Sequence, residues 1–150
     1  MRASQALITI AVLLLAIPVS GQSAPDFTGN WREQTESKTP RHLEIEQKGQ
    51  NLRVNTVVTN SEGSRNLEVK YVIGGPETTY KGLDGDEFRT SVRWDTSSLV
   101  FDTVEHEDSN EIPQKAVWAL SADGHALQVE KQVTKSGKTA RSSTTYIRQP

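Results

Sequence analysis

Residues 87–104, which read EFRTSVRWDTSSLVFDTV, decide the fold. Their first half alternates in polarity with period two, and one face carries Phe88, Thr90, Val92 and Trp94. Successive side chains of a β-strand point to opposite faces, so this alternation indicates a strand with one buried and one solvated face. Asp95-Thr96-Ser97 then predicts a turn, and residues 98–105 begin a second strand. The stretch therefore predicts a β-hairpin.

The same pattern recurs through residues 41–148, with turn residues about every ten positions. Residues 22–150 contain 14 Thr, 11 Val and 4 Ile against 6 Ala, a balance that favours strands over helices. With an opening segment around Trp31, the pattern predicts eight to ten antiparallel strands. The predicted turns are 48–50, 60–63, 74–76, 84–86, 95–97, 108–110, 122–124 and 136–138.

A sheet of this many strands has two unpaired edges unless it closes on itself. Only 37 of residues 22–150 are apolar, or 29% of 129, so two packed sheets would be hard to fill. A barrel with a partly polar interior needs fewer apolar side chains. The predicted fold class is all-β, a single antiparallel up-and-down β-barrel.

The N-terminus has the order of a secretory signal peptide. Arg2 precedes an apolar stretch from Ala6 to Val19, and small residues follow at Ser20 and Gly21. The stretch is shorter than the roughly 20 apolar residues that span a bilayer. We expect residues 1–21 to be a signal peptide, cleavage to leave no stable membrane span, and residues 22–150 to be a periplasmic or extracellular domain.

Composition excludes several classes of function. The chain has no cysteine, which excludes disulfides, thiolate metal sites and cysteine nucleophiles, and its net charge of −2 argues against nucleic-acid binding. It contains no Gly-x-Ser-x-Gly elbow, phosphate-binding glycine loop or His-Glu-x-x-His motif. We therefore predict a non-enzymatic protein with no catalytic residue, cofactor or metal.

Two acidic segments contain candidate metal ligands. His42, Glu44 and Glu46 share one face of a strand, and residues 105–108 place a histidine among three acidic groups. The first face lies opposite Leu43 and Ile45 and is expected to be solvated. The second lacks the ordered spacing of a calcium loop. Neither is predicted to hold a metal.

Several side chains are candidates for a ligand-binding lumen. Hydroxyl groups recur in register with apolar neighbours, so inward-facing strands would place a few polar groups among aromatic walls, which suits a small amphiphile. Alternatively, side chains fill the interior of a small barrel completely, and the same residues are ordinary core. The candidates are Thr56, Tyr71, Phe88, Thr90, Trp94 and Phe101.

The segment from Asp26 to Trp31, DFTGNW, resembles the Gly-x-Trp element that opens lipocalins and related calycin barrels. The resemblance implies that Gly29 permits a tight bend, Trp31 plugs the closed end and Arg148 stacks on its indole. Residues 118–127, WALSADGHAL, together with that opening segment also resemble small exported bacterial proteins. Both resemblances imply a lipocalin-like barrel.

The predicted function is binding of a small hydrophobic or amphiphilic molecule in the lumen of a monomeric exported barrel. The alternative is an envelope protein-interaction module with a filled barrel, such as an inhibitor or assembly factor. Charge asymmetry supports the alternative, because residues 84–111 carry a net −7 and residues 113–150 a net +4.

Overall fold

The computed structural model describes residues 23–150. The predicted signal peptide lies outside the described residues. Within them every regular element is a β-strand, and no helix is long and apolar enough to cross a membrane. The ten strands are β1 (Gly29–Glu33), β2 (Arg41–Lys48), β3 (Asn51–Asn60), β4 (Gly63–Val72), β5 (Thr78–Lys81), β6 (Glu87–Asp95), β7 (Ser98–Glu107), β8 (Asn110–Leu120), β9 (Ala126–Lys135) and β10 (Lys138–Arg148).

The strands form one antiparallel up-and-down sheet in which strands that follow one another in sequence pair, except β4 and β5, and β1 also pairs with β10. The order is β4-β3-β2-β1-β10-β9-β8-β7-β6-β5. The predicted all-β up-and-down barrel is therefore confirmed. Its hairpin turns contain Thr96, Asp108 and Ser136 in left-handed conformations; of these residue types, Asp is the one found there most readily.

The barrel is closed except between β4 and β5, which do not form a ladder. The amide of Gly74 donates to the carbonyl of Val92 at 2.7 Å, and the Thr78 hydroxyl donates to the carbonyl of Lys70 at 3.3 Å. Inside the barrel, Tyr71 of β4 meets Tyr80 of β5 edge to face, with ring centroids 6.2 Å apart. Side chains thus close a gap that backbone pairing leaves open.

The core lies toward one end of the barrel. Trp31, Phe27, Leu99 and Leu127 are fully buried there, and Leu43 and Ile45 of β2 are nearly so. Nearer the other end, buried residues such as Thr90 and Phe101 alternate around the barrel with partly buried ones such as Thr56, Phe88 and Thr103. The barrel therefore has a filled end and an open end.

Candidate functional site

The filled end is built around the predicted residues Gly29, Trp31 and Arg148, which the structure brings together. The Trp31 indole N–H donates to the carbonyl of Phe27 at 3.0 Å, and the Arg148 guanidinium carbon lies 4.3 Å from the centroid of the Trp31 ring. Arg148 also donates to the carbonyls of Thr28 and Gly124. The guanidinium is thus fixed over the indole by a cation–π contact and backbone bonds.

Gly29 is required by this arrangement. Its φ of 151° lies outside the range that side-chain-bearing residues favour, and a Cβ there would lie 2.7 Å from Arg148 Nη1. Glycine allows the Arg148 side chain to pass close to the backbone. The three residues therefore seal one end of the lumen.

Toward the open end, the barrel encloses a cavity of about 360 Å³ that is partly open to solvent. This volume lies at the low end of the range for small-molecule sites. Five of the six predicted ligand-binding residues line it: Thr56, Tyr71, Phe88, Thr90 and Phe101.

Trp94, the sixth, is not among the residues that line the cavity. It faces inward like Thr90 and Val92, but it lies farther toward the filled end, where its ring centroid is 6.1 Å from that of Phe27. Alternation predicted the face correctly, because it depends only on the period of two. Depth along the barrel depends on strand tilt, which the pattern does not contain.

One wall of the cavity is aromatic. Phe101 lies 5.5 Å from Tyr71 edge to face and 4.5 Å from Trp118, and Tyr80 stacks on Phe88 at 5.5 Å. The five rings come from β4, β5, β6, β7 and β8, and they form a continuous apolar surface across the gap between β4 and β5. Burial raises the pKa of Tyr71, with a smaller contribution from Tyr80 beside it, so its hydroxyl stays neutral.

A row of hydroxyls crosses this wall. Thr90 Oγ1 is 2.8 Å from Thr103 Oγ1 and 3.4 Å from the Tyr80 hydroxyl. Every buried side-chain nitrogen and oxygen of the described residues has a hydrogen-bond partner. The buried hydroxyls of this row are therefore hydrogen-bonded without a ligand.

The open end carries charges that the sequence did not assign to the lumen. Arg41, Lys115, Lys131 and Asp84 all line the cavity. The carboxylate oxygens of Asp84, Asp86 and Glu105 lie within 4.8 Å of one another. Burial raises the pKa of Glu105, and the charges of Asp84 and Asp86 add to that effect.

The two sequence candidates for metal ligands do not assemble. On β2, Glu44 accepts a hydrogen bond from Asn55 and Glu46 pairs with Arg53 at 3.1 Å, so that face is a solvated surface as expected. In the second segment Glu107 pairs with Lys135 instead of converging with its neighbours. His106 accepts a hydrogen bond from Arg89 at 2.9 Å.

The alternation of inward and outward side chains could have identified two cavity-lining residues that the sequence analysis did not predict. Trp118 continues the period of two through Gln114 and Ala116, and Lys131 continues it through Leu127 and Val129. Both therefore had an inward-facing assignment available. The sequence does not predict Lys131 as a lumenal residue, because a lysine normally indicates an outward-facing, solvated position. In an open lumen, however, a charged group can face inward and stay hydrated.

No protein-family model and no curated protein sequence matches the chain. Solved structures do. A protein described as the REP1-NXSQ fatty acid transporter has 12% identity and a TM-score of 0.64, covering 82% of this chain and 96% of its own. Lipid binding protein 8 of Caenorhabditis elegans has 15% identity and a TM-score of 0.63, covering 82% and 95%.

The zebrafish ileal bile acid-binding protein, solved with cholic acid, has 15% identity and a TM-score of 0.61, covering 82% of this chain and 98% of its own. At these identities the similarity shows the fold alone. The chain has a calycin-like β-barrel fold, in agreement with the lipocalin-like architecture that DFTGNW implied.

Proposed function

We propose that this protein is an exported, non-enzymatic β-barrel that binds a small hydrophobic or amphiphilic molecule in its lumen. The observation that carries the proposal is the cavity of about 360 Å³, with an aromatic wall, a row of hydroxyls and an opening to solvent. A preformed, mostly apolar cavity with a few polar groups is the usual form of a small-molecule site.

The structural neighbours support the same class of function. Their descriptions name a fatty acid transporter, a lipid binding protein and a bile acid-binding protein, which are binding proteins and not enzymes. Export rests on the signal-peptide pattern of residues 1–21, and the monomeric state rests on sequence reasoning. The envelope protein-interaction module stays a prediction whose support is the charge asymmetry between residues 84–111 and 113–150.

The experiment that tests the proposal is a titration with N-phenyl-1-naphthylamine, a neutral probe that fluoresces in apolar surroundings. We expect saturable binding at one site. An Ala116→Phe substitution should weaken it by about tenfold or more, because Ala116 lines the cavity and a benzyl group would occupy ligand space.

Ala119→Phe is the matched control, since Ala119 lies on the same strand and alternation places it on the opposite face. This variant should bind the probe as the wild type does. Equal binding by the wild type and both variants, or no saturable binding by the wild type, would contradict the proposal.

A further inference from the structure

Arg41 and Lys131 are two cations that share the cavity and lack a carboxylate partner. The ion pairs of residues 23–150 employ other cations, such as Lys115 with Asp102 and Lys135 with Glu107. Both unpaired side chains line the cavity. An unpaired cation that faces solvent everywhere has no preferred counter-ion, but two that converge on one cavity create a local positive potential.

Lys131 lies near both Glu105 and Arg41. Its pKa is lowered chiefly because protein atoms displace water around the ammonium group; the charge of Glu105 opposes this shift, and repulsion by Arg41 makes a smaller contribution to it. An anion placed between Arg41 and Lys131 would reduce their repulsion and would accept hydrogen bonds from both cations in place of the displaced water.

The strand register places these cations beside a notch in the wall. β1 ends at Glu33, which pairs with Tyr146 of β10, whereas β10 extends back to Lys138 alongside β9. Lys131 pairs with Ser142, beyond the end of β1. Between the start of β2 and the turn end of the β9–β10 hairpin, the wall is therefore spanned only by the connection formed by residues 34–40.

Polarity falls from this notch toward the filled end. Along β2, Arg41 is followed on the same face by the buried Leu43 and Ile45. Along β9, Lys131 is preceded on the same face by Val129 and the fully buried Leu127. Both strands thus present a cation at the open side and apolar side chains below it, which is the polarity of an amphiphile standing head outward.

We propose that the cavity takes an anionic amphiphile tail first and holds its anionic head group at the notch between Arg41 and Lys131. This inference rests on the proposed function and specifies the ligand class and its orientation. Charge-assisted hydrogen bonds from the guanidinium and the ammonium would bind the head group. The carboxylates of Asp84, Asp86 and Glu105, which lie toward β6 and β7, would repel it toward the β2 side.

The test compares three ligands with the same twelve-carbon tail: dodecanoate, neutral 1-dodecanol and cationic dodecyltrimethylammonium. Each would be used below its micelle concentration to displace N-phenyl-1-naphthylamine from the purified protein. In Arg41→Gln and in Lys131→Gln, we expect the dissociation constant for dodecanoate to rise by about tenfold, the usual effect of losing a charged hydrogen bond. The constant for 1-dodecanol should change by less than about twofold, because its head group carries no charge.

Lys138→Gln is the control, because Lys138 lies exposed at the turn that begins β10 and does not line the cavity. It should alter none of the three affinities. Unchanged dodecanoate binding in both variants would overturn the inference, as would tighter binding of the cationic ligand than of dodecanoate, and either result leaves lumenal binding intact. Failure of all three ligands to displace the probe would instead contradict lumenal binding of amphiphiles itself.

Discussion

The two ends of the barrel are made from the same strands and the same alternating pattern, yet one is filled and the other is open. At the filled end, Trp31 is fully buried and bonded to Phe27, with Arg148 fixed across its face. Trp118, in contrast, is only partly buried, because its ring borders the cavity of about 360 Å³. Large apolar side chains fill one end, whereas toward the other end aromatic rings, threonines and charged residues surround a cavity.

This contrast separates stability from function. The filled end contains the largest buried side chains of the described residues, so truncation there removes many contacts at once. The open end has polar groups that are already hydrogen-bonded and walls that border empty space. Substitutions at the filled end should therefore reduce stability strongly, and those at the open end should alter ligand binding more than folding.

The largest effect is expected from Trp31→Ala. Truncating a fully buried tryptophan costs about 3–5 kcal/mol in free energy of unfolding. Trp118→Ala should cost about 1–2 kcal/mol, because this ring already borders a cavity and buries less area. Urea unfolding monitored by circular dichroism measures both. Equal losses would show that the two ends are energetically alike.

Next in size is Gly29→Ala. The added methyl group combines an unfavourable φ of 151° with a contact of 2.7 Å to Arg148, and we expect a loss of about 2–3 kcal/mol. Gly137→Ala controls for backbone strain alone, because its φ is +73° and nothing lies within 4 Å of the new Cβ, and it should lose about 1 kcal/mol. If Gly137→Ala is as damaging as Gly29→Ala, the Arg148 contact is not the cause.

Alkaline pH should reduce stability through two buried tyrosines, Tyr71 of β4 and Tyr146 of β10. Burial raises the pKa of both hydroxyls in the folded state, whereas an unfolded tyrosine ionises near pH 10. The stabilisation is thus complete below that pH and falls above it, approaching a slope of about 1.4 kcal/mol per pH unit for Tyr71, whose pKa is raised strongly, and less for Tyr146. Tyr71→Phe and Tyr146→Phe should each flatten the decline between pH 10 and 11, measured by urea unfolding. An unchanged slope in Tyr71→Phe would show that its hydroxyl is free to ionise.

The smallest effect is expected from Thr90→Val, which removes one hydroxyl of the lumenal row. Thr90 is 1% exposed and its hydroxyl is 2.8 Å from that of Thr103, so the loss should be about 0.5–1.5 kcal/mol. Replacing Thr103 by valine as well should recover part of it, since no buried hydroxyl is then left unpaired. Calorimetric melting of the single and double variants tests this. A double variant less stable than the sum of its parts would argue against the pair.

The sequence predicted the hairpins of β6 to β10 closely, because strong alternation and polar turn residues are local signals. It missed β5 (Thr78–Lys81), whose four residues are too few to show a period and follow Pro76. It also placed Trp94 in the ligand site. The period of two determines which face of the strand a residue occupies, but the position of that residue along the barrel axis depends on the stagger between strands.

By itself the sequence determined the strands, their turns, the inward faces and the tryptophan element of DFTGNW, since each follows from a pattern within a few residues. Only the tertiary structure decided which inward side chains fill one end and which surround a cavity. It alone brought Arg41 and Lys131 to one cavity and the carboxylates of Asp84, Asp86 and Glu105 to within 4.8 Å of one another. Those arrangements depend on pairing between strands that are far apart in the chain. Local sequence patterns do not determine which of these distant residues become neighbours.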